Sequence, residues 1–124
     1  MHWHKAADIK AQIRKIVAGL ELEHIDCRKI ICFRSTGSSS RARPRISSFP
    51  RVWQLALALP PHYVIEVLSE HYDKLSTDDQ KRVLIHELLH IPKNFSGSLV
   101  PHRSRYSRID NRRVESLFIK LTKD

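Results

Sequence analysis

The strongest constraint on the fold comes from one predicted helix whose second half is too apolar to face solvent. A T-x-x-Q pattern at Thr77 and Gln80 is typical of a capping box and predicts that the helix begins there. The ring of Pro92 would clash with the preceding turn, so the helix is expected to end close to that residue. We therefore expect a buried helix that nonetheless carries three polar side chains, His86, Glu87 and His90.

The spacing of these three residues, an H-E-x-x-H pattern, indicates a metal site. His86 and His90 are four residues apart and share one helix face, so both imidazoles can bind one ion at Zn–N distances of about 2.0–2.1 Å. Glu87 stands beside the first histidine and can reach a water molecule on that ion. Burying three polar groups without partners would cost several kcal/mol, and a metal ion would remove that cost.

A third ligand is available downstream of the helix. The loop that contains Gly97 turns the chain and brings His102 back before the last helix, so that three histidines and a water complete an open tetrahedral site. The alternative third ligand is Glu115, which lies just off the apolar stripe of Val114 and Leu117. We interpret Glu115 as a salt-bridge partner in the first instance and keep it as the alternative ligand.

Two further helices and a small sheet complete a predicted α+β fold. Apolar residues recur at helical spacing over residues 6–20 and again over residues 114–121, and Ser107 or Asp110 is expected to cap the second of these helices. The prediction is one compact domain over residues 1–124, with an N-terminal helix, a sheet of three or four strands, a buried active-site helix and a C-terminal helix.

Three β-branched or aromatic runs predict the strands of that sheet: residues 30–33, 52–57 and 63–68. The third run is expected at the sheet edge beside the metal, where an extended peptide could add as a further strand. Trp53 is expected in the core. The small and polar residues 36–44 predict a mobile basic loop between the first two strands.

Composition limits the possible partners without choosing one. The chain has 124 residues and a formal net charge of +9, a field that attracts nucleic acid, anionic membranes or acidic peptides. It contains no stretch of about 18 apolar residues, so no membrane segment is expected. The two cysteines, Cys27 and Cys32, are too few for a disulfide scaffold and lack C-x2-C spacing. A cytoplasmic protein is the expectation.

Four segments together resemble a known family. These are HELLHIPKNFSG at residues 86–97, PH at 101–102, and the upstream segments FRS at 33–35 and FPRVWQLA at 49–56. They resemble the minigluzincins, very small zinc metallopeptidases of thermophilic prokaryotes that are grouped with phage metallopeptidases. The resemblance spans most of the chain.

The resemblance implies a gluzincin-like catalytic scaffold that hydrolyses peptide bonds and uses Zn²⁺. It also implies a histidine as the third zinc ligand, and the matching position here is His102. Because the family includes latent forms whose C-terminal segment blocks the cleft, residues 112–124 are a candidate inhibitory segment. The block can act within one molecule or between swapped partners, so a monomer or a swapped dimer is expected.

The expected mechanism follows from the chemistry of the site. Zn²⁺ lowers the pKa of a bound water towards about 7, and Glu87 accepts the proton and returns it to the leaving amine. The developing oxyanion needs a further donor. Three residues close to His102 are candidates for this role: Arg103, Arg105 and Tyr106.

Two other function classes remain open at this stage. The first is a basic protein associated with nucleic acid, or a protease that acts on DNA-bound proteins, through a stretch of four arginines: Arg41, Arg43, Arg45 and Arg51. The second is another zinc hydrolase, such as a deformylase or amidase, although these usually have a different third ligand. A second metal site at His24, Cys27 and Cys32 is not expected, since one ligand would be missing.

Overall fold

A computed structural model describes residues 2–37, 43–103 and 108–123, and it has the α+β fold that the sequence predicts. A short 3-10 helix, Cys27–Lys29, precedes the second strand. The remaining elements, in chain order, are β1 (His2–Lys5), α1 (Ala7–Gly19), β2 (Ile30–Thr36), β3 (Arg45–Ser48), α2 (Arg51–Leu57), β4 (Tyr63–Leu68), α3 (Ser69–Tyr72), α4 (Thr77–Leu88) and α5 (Asn111–Thr122). No helix among the described residues is long and apolar enough to cross a bilayer.

The four strands form one mixed sheet in the order β1-β2-β4-β3. β2 and β4 run parallel, with Ile30 opposite Tyr63, and β1 and β3 pair antiparallel with them. The buried side of the sheet shares one core with α1, α4 and α5, and α5 packs against α4. The main members of this core are Ile9, Ile13, Ile16, Ile30, Ile65, Leu84, Ile85, Leu88, Val114 and Phe118.

The prediction that residues 52–57 form a strand is wrong, because this segment is the helix α2. Pro50 caps it in an extended conformation, and only Gln54 is buried, where its amide donates to the carbonyl of Phe49 at 2.8 Å. Trp53 is 55% exposed, so the expectation that it lies in the core is also wrong. A short apolar run does not distinguish strand from helix by periodicity, and here the proline preceding the run fits the start of a helix.

The edge position predicted for residues 63–68 is also wrong. β4 lies inside the sheet between β2 and β3, and burial alternates along its first five residues, with Tyr63, Ile65 and Val67 on the buried side. The edge strand on that side is β3, which directly follows the loop predicted over residues 36–44 and was not itself predicted. Residues 38–42 of that loop lie outside the described residues. β1, at the other edge, was also not predicted.

The observed ends of α4 and α5 differ in part from the predicted ones. Ser76, rather than Thr77, caps α4, since its hydroxyl accepts from the backbone N–H of Asp79 at 3.1 Å. The helix ends at Leu88, earlier than the predicted end near Pro92. Asp110 caps α5 as predicted, with its carboxylate accepting from the N–H of Arg113. The other candidate cap, Ser107, lies outside the described residues.

Replacing the capping hydroxyl tests the start of α4. Ser76→Ala is expected to lower the free energy of unfolding by about 0.5–2 kcal/mol, because the N–H of Asp79 loses its acceptor. Thr77→Ala is the matched control and is expected to cost clearly less, since Thr77 is the first helical residue. Urea unfolding measures both, and a larger loss in the control would contradict the assigned cap.

Candidate metal centre

Three imidazoles meet at one end of α4. His86 lies on the last full turn of the helix and is half-buried, His90 follows the helix end and is buried, and His102 is exposed beyond the next loop. One ring nitrogen from each lies within 4.8 Å of the others. The Nε2 atoms of His86 and His102 are 3.1 Å apart. The structure therefore brings together the three histidines that the sequence analysis singled out.

His90 is held by two hydrogen bonds to a single residue of the following loop. Its Nδ1–H donates to the carbonyl of Val100 at 2.6 Å, and the N–H of Val100 donates back to the carbonyl of His90 at 2.7 Å. A carbonyl can only accept, so Nδ1 must carry the proton and Nε2 keeps its lone pair. Such a bond to the far ring nitrogen orients a histidine for metal binding.

The sheet fixes the loop that carries His102. The hydroxyl of Tyr63, at the start of β4, accepts from the N–H of Gly97 at 2.9 Å and donates to the carbonyl of Ser98 at 2.8 Å. Gly97 has a φ of +93°, and a Cβ there would lie 2.3 Å from Nε2 of Gln54. The loop thus needs a glycine against α2 and a buried tyrosine beneath it.

The arrangement of donors fits a divalent cation. Two ligands that are each 2.0–2.1 Å from a tetrahedral ion lie about 3.4 Å apart, close to the 3.1 Å between the Nε2 atoms of His86 and His102. Burial lowers the pKa of His86 and of His90, and the neighbouring histidines lower the pKa of His86 further. Both effects favour neutral imidazole, the form that binds a metal.

Glu87 places a carboxyl group at the same site. The residue is buried, it follows His86 on α4, and it lines the same cleft as the three histidines. Burial raises the pKa of Glu87 to about 7, because a charged carboxylate is poorly solvated there. A carboxyl group with such a high proton affinity can both accept and return a proton near neutral pH.

The three histidines lie in a cleft of about 1160 Å³. One wall is the edge strand β3, with Arg45 and Ile46, and another is formed by α5. The remaining lining comes from α4 and from the loop that contains Leu99 and Val100. The cleft is therefore bordered by a strand edge, an arrangement that the sequence analysis expected but assigned to the wrong strand.

Glu115 lies on the cleft wall but is committed to an ion pair. Its carboxylate accepts from Nε of Arg82 at 2.8 Å and from Nη2 at 3.3 Å. Arg82 also pairs with Asp79 at 2.7 Å and stacks over the ring of Phe118 at 4.2 Å. This matches the salt-bridge interpretation of Glu115, and the group of potential ligands within the described residues is the three histidines alone.

The other candidates from the sequence analysis fall elsewhere. The backbone of Arg103 forms an isolated antiparallel β-bridge with that of Arg108. Arg105 and Tyr106 lie outside the described residues. Of the basic stretch, Arg43 and Arg45 line the cleft, Arg51 opens α2 and Arg41 is not described. Cys27 and Cys32 are free thiols and form no metal-ligand group with His24 among the described residues.

Two residues that hold the site were missed by the sequence analysis. Tyr63 was interpreted only as a strand residue, and Val100 was not singled out. Nothing in the sequence marks Val100, because it acts through its backbone. The hydroxyl of Tyr63 is the one available signal, since a buried tyrosine usually finds a hydrogen-bond partner.

Three imidazoles and a buried carboxyl group in one cleft define a candidate metal centre of the hydrolytic type. Residues 1–117 match the family model described as "Putative phage metallopeptidase". The chain belongs to this family, which confirms the resemblance seen in the sequence. Comparisons with curated proteins and with solved structures found no match.

Removing the Tyr63 hydroxyl tests its role under the loop. Tyr63→Phe is expected to lower the free energy of unfolding by about 1–3 kcal/mol, because the N–H of Gly97 and the carbonyl of Ser98 both lose a buried partner. Tyr72→Phe is the matched control, since that ring packs near Arg34 rather than against the loop. Equal losses in urea unfolding would contradict the assigned role.

Proposed function

We propose that this protein is a zinc-dependent metallopeptidase that hydrolyses peptide bonds. In this proposal His86, His90 and His102 hold Zn²⁺, and Glu87 is the general base. The observation that carries the proposal is the convergence of three imidazoles beside a buried carboxyl group, in a chain of a metallopeptidase family. Three nitrogen donors that leave one position open are typical of catalytic zinc.

The residues of the chain have distinct tasks in this mechanism. When bound, Zn²⁺ supplies an acidified water and polarises the scissile carbonyl. Glu87 takes the proton from the attacking water and delivers it to the leaving amine nitrogen. The bond from Nδ1–H of His90 to Val100 keeps Nε2 directed towards the site throughout.

The edge strand supports a peptide as the substrate. β3 is the last strand of the sheet described and has Arg45 and Ile46 on the cleft wall. An extended peptide can form backbone hydrogen bonds with such an edge, which aligns its carbonyl groups along the cleft. This arrangement favours a polypeptide over the small substrates of a deformylase or amidase.

The inhibitory role of residues 112–124 stays a prediction. Val114 and Phe118 of α5 are buried in the core, and Leu121 lies close to Gly19 of α1. Removing this segment would therefore expose apolar core as well as the cleft. Association with nucleic acid also stays a prediction, and Arg43 and Arg45 favour contacts with the substrate of the cleft itself.

The metal content of the purified protein tests the ligand set. The wild type is expected to bind about one Zn²⁺ per chain, and His102→Ala is expected to weaken zinc binding more than about 100-fold, beyond the usual effect of losing an outer hydrogen bond. Glu115→Ala is the control and is expected to keep the metal, because that carboxylate pairs with Arg82. Zinc retained in His102→Ala but lost in Glu115→Ala would contradict the proposal.

The general base is tested separately from the metal. Glu87→Gln is expected to retain zinc and to lower the rate of cleavage of an unfolded casein substrate by about 10²–10⁴-fold, since proton transfer is lost. Glu23→Gln, an exposed glutamate outside the cleft, is the matched control and should cleave at the wild-type rate. Undiminished cleavage in Glu87→Gln, or no cleavage by the zinc-loaded wild type, would contradict the proposal.

A further inference from the structure

A second cavity, of about 750 Å³, adjoins the metal centre. Val100 lines both cavities, and it is the residue whose backbone groups bond His90. The floor of the second cavity is aliphatic and consists mainly of Leu22, Leu88, Leu89, Ile91, Val100 and Leu117. The second cavity is therefore separate from the three histidines, but it contacts Val100, which holds His90 in place.

The rim of this second cavity is strongly cationic. Four basic residues line it: Lys93, Arg108, Arg112 and Arg113. The one carboxylate in the lining is Asp110, which already accepts the backbone N–H of Arg113 as the cap of α5. Within the described residues, no carboxylate lies within ion-pair distance of these four basic side chains. Within the described part of the chain, the guanidinium of Arg113 donates only to the backbone carbonyl of Arg108, at 3.1 Å. Like charges gathered without a carboxylate partner repel one another, and an anionic ligand would relieve that repulsion.

We propose that this second cavity binds an acidic polypeptide segment that carries an aliphatic side chain. Its carboxylates would meet the cationic rim, and its aliphatic group would fill the apolar floor. The volume is of the size that takes a ligand of several groups, well beyond one inorganic anion. As a substrate-binding site beyond the cleft, it rests on the proposed peptidase function.

The floor favours a peptide over a nucleic acid. Nucleic-acid sites combine basic side chains with aromatic platforms or with polar groups that read the bases. The one aromatic ring in the described lining of the second cavity is the imidazole of His24; there is no tyrosine, phenylalanine or tryptophan, and the floor is formed by leucine, isoleucine and valine. Such a floor suits the aliphatic side chains of a polypeptide.

Because Val100 lines both cavities, a ligand in the second cavity would lie close to the metal centre and could influence which substrates are cleaved. A segment bound there contacts the loop that leads to His102 and holds His90. A polypeptide that reaches both cavities is anchored close to its scissile bond, which raises its effective concentration at the cleft. Substrates with an acidic, leucine-containing segment near the cleavage point are therefore expected to be preferred.

Binding is tested without cleavage, in the full chain carrying Glu87→Ala. Fluorescence anisotropy compares a labelled acidic peptide containing leucines with the same peptide carrying glutamine for glutamate, and with one carrying serine for leucine. The acidic leucine peptide is expected to bind about ten-fold or more tightly than either relative, because each lacks one of the two complementary features. Equal binding of the three peptides would overturn the proposal.

Charge reversal locates the site. Lys93→Glu with Arg112→Glu is expected to weaken binding of the acidic leucine peptide about ten-fold or more. Arg14→Glu with Lys15→Glu makes the same change in net charge on the exposed side of α1, outside the second cavity, and should leave binding nearly unchanged. If this control weakened peptide binding equally, the overall net charge would explain the loss, and the proposal would be overturned.

A steric variant and a nucleic-acid probe complete the test. Ser116→Trp fills the second cavity without changing its charge and is expected to weaken binding in the same way, which keeps the test valid if charge reversal impairs folding. A labelled single-stranded oligonucleotide that binds more tightly than the peptide, and is lost with Ser116→Trp, would make this a nucleic-acid site. These binding measurements need neither zinc nor cleavage. A negative binding result would therefore leave the peptidase proposal standing, and a negative cleavage result would leave the measured binding unchanged.

Discussion

The geometry of the candidate metal centre depends on the pair of hydrogen bonds between His90 and Val100. α4 ends at Leu88, and the N–H of His90 reaches back only three residues to Glu87, so the last turn is tightened into a 3-10 form. Without a bond to Val100, the imidazole of His90 would be free to rotate away from that of His86. The bond fixes both the direction of the ring and its tautomer.

The same pair of bonds connects the helix to the third histidine. Val100 is two residues before His102, and the loop between α4 and Val100 is tied to β4 through Tyr63 and Gly97. The central sheet thus determines where the loop lies, and the loop determines where the third imidazole lies. This is why a small chain can bring together His86 and His102, two candidate ligands that are 16 residues apart in sequence.

The structural features that could be predicted from the sequence are those with local causes. Residues four apart on a helix share a face whatever the rest of the fold does, so His86 and His90 could be paired from their spacing alone. Predicting that His102 joins them required a turn at Gly97, and glycine readily adopts the positive φ that this turn has. The segment 52–57 was misassigned because its burial depends on neighbours, and one buried polar residue, Gln54, holds it. The edge strand β3 was missed because its place in the sheet is set by pairing with β4, which no local pattern encodes.

Zinc K-edge X-ray absorption on the purified, zinc-loaded protein would identify the atoms that bind the metal. If the three histidines bind zinc, the coordination shell consists of three imidazole nitrogens and one oxygen at about 2.0–2.1 Å. A shell with sulfur at about 2.3 Å, or with fewer than three imidazoles, would contradict this ligand set.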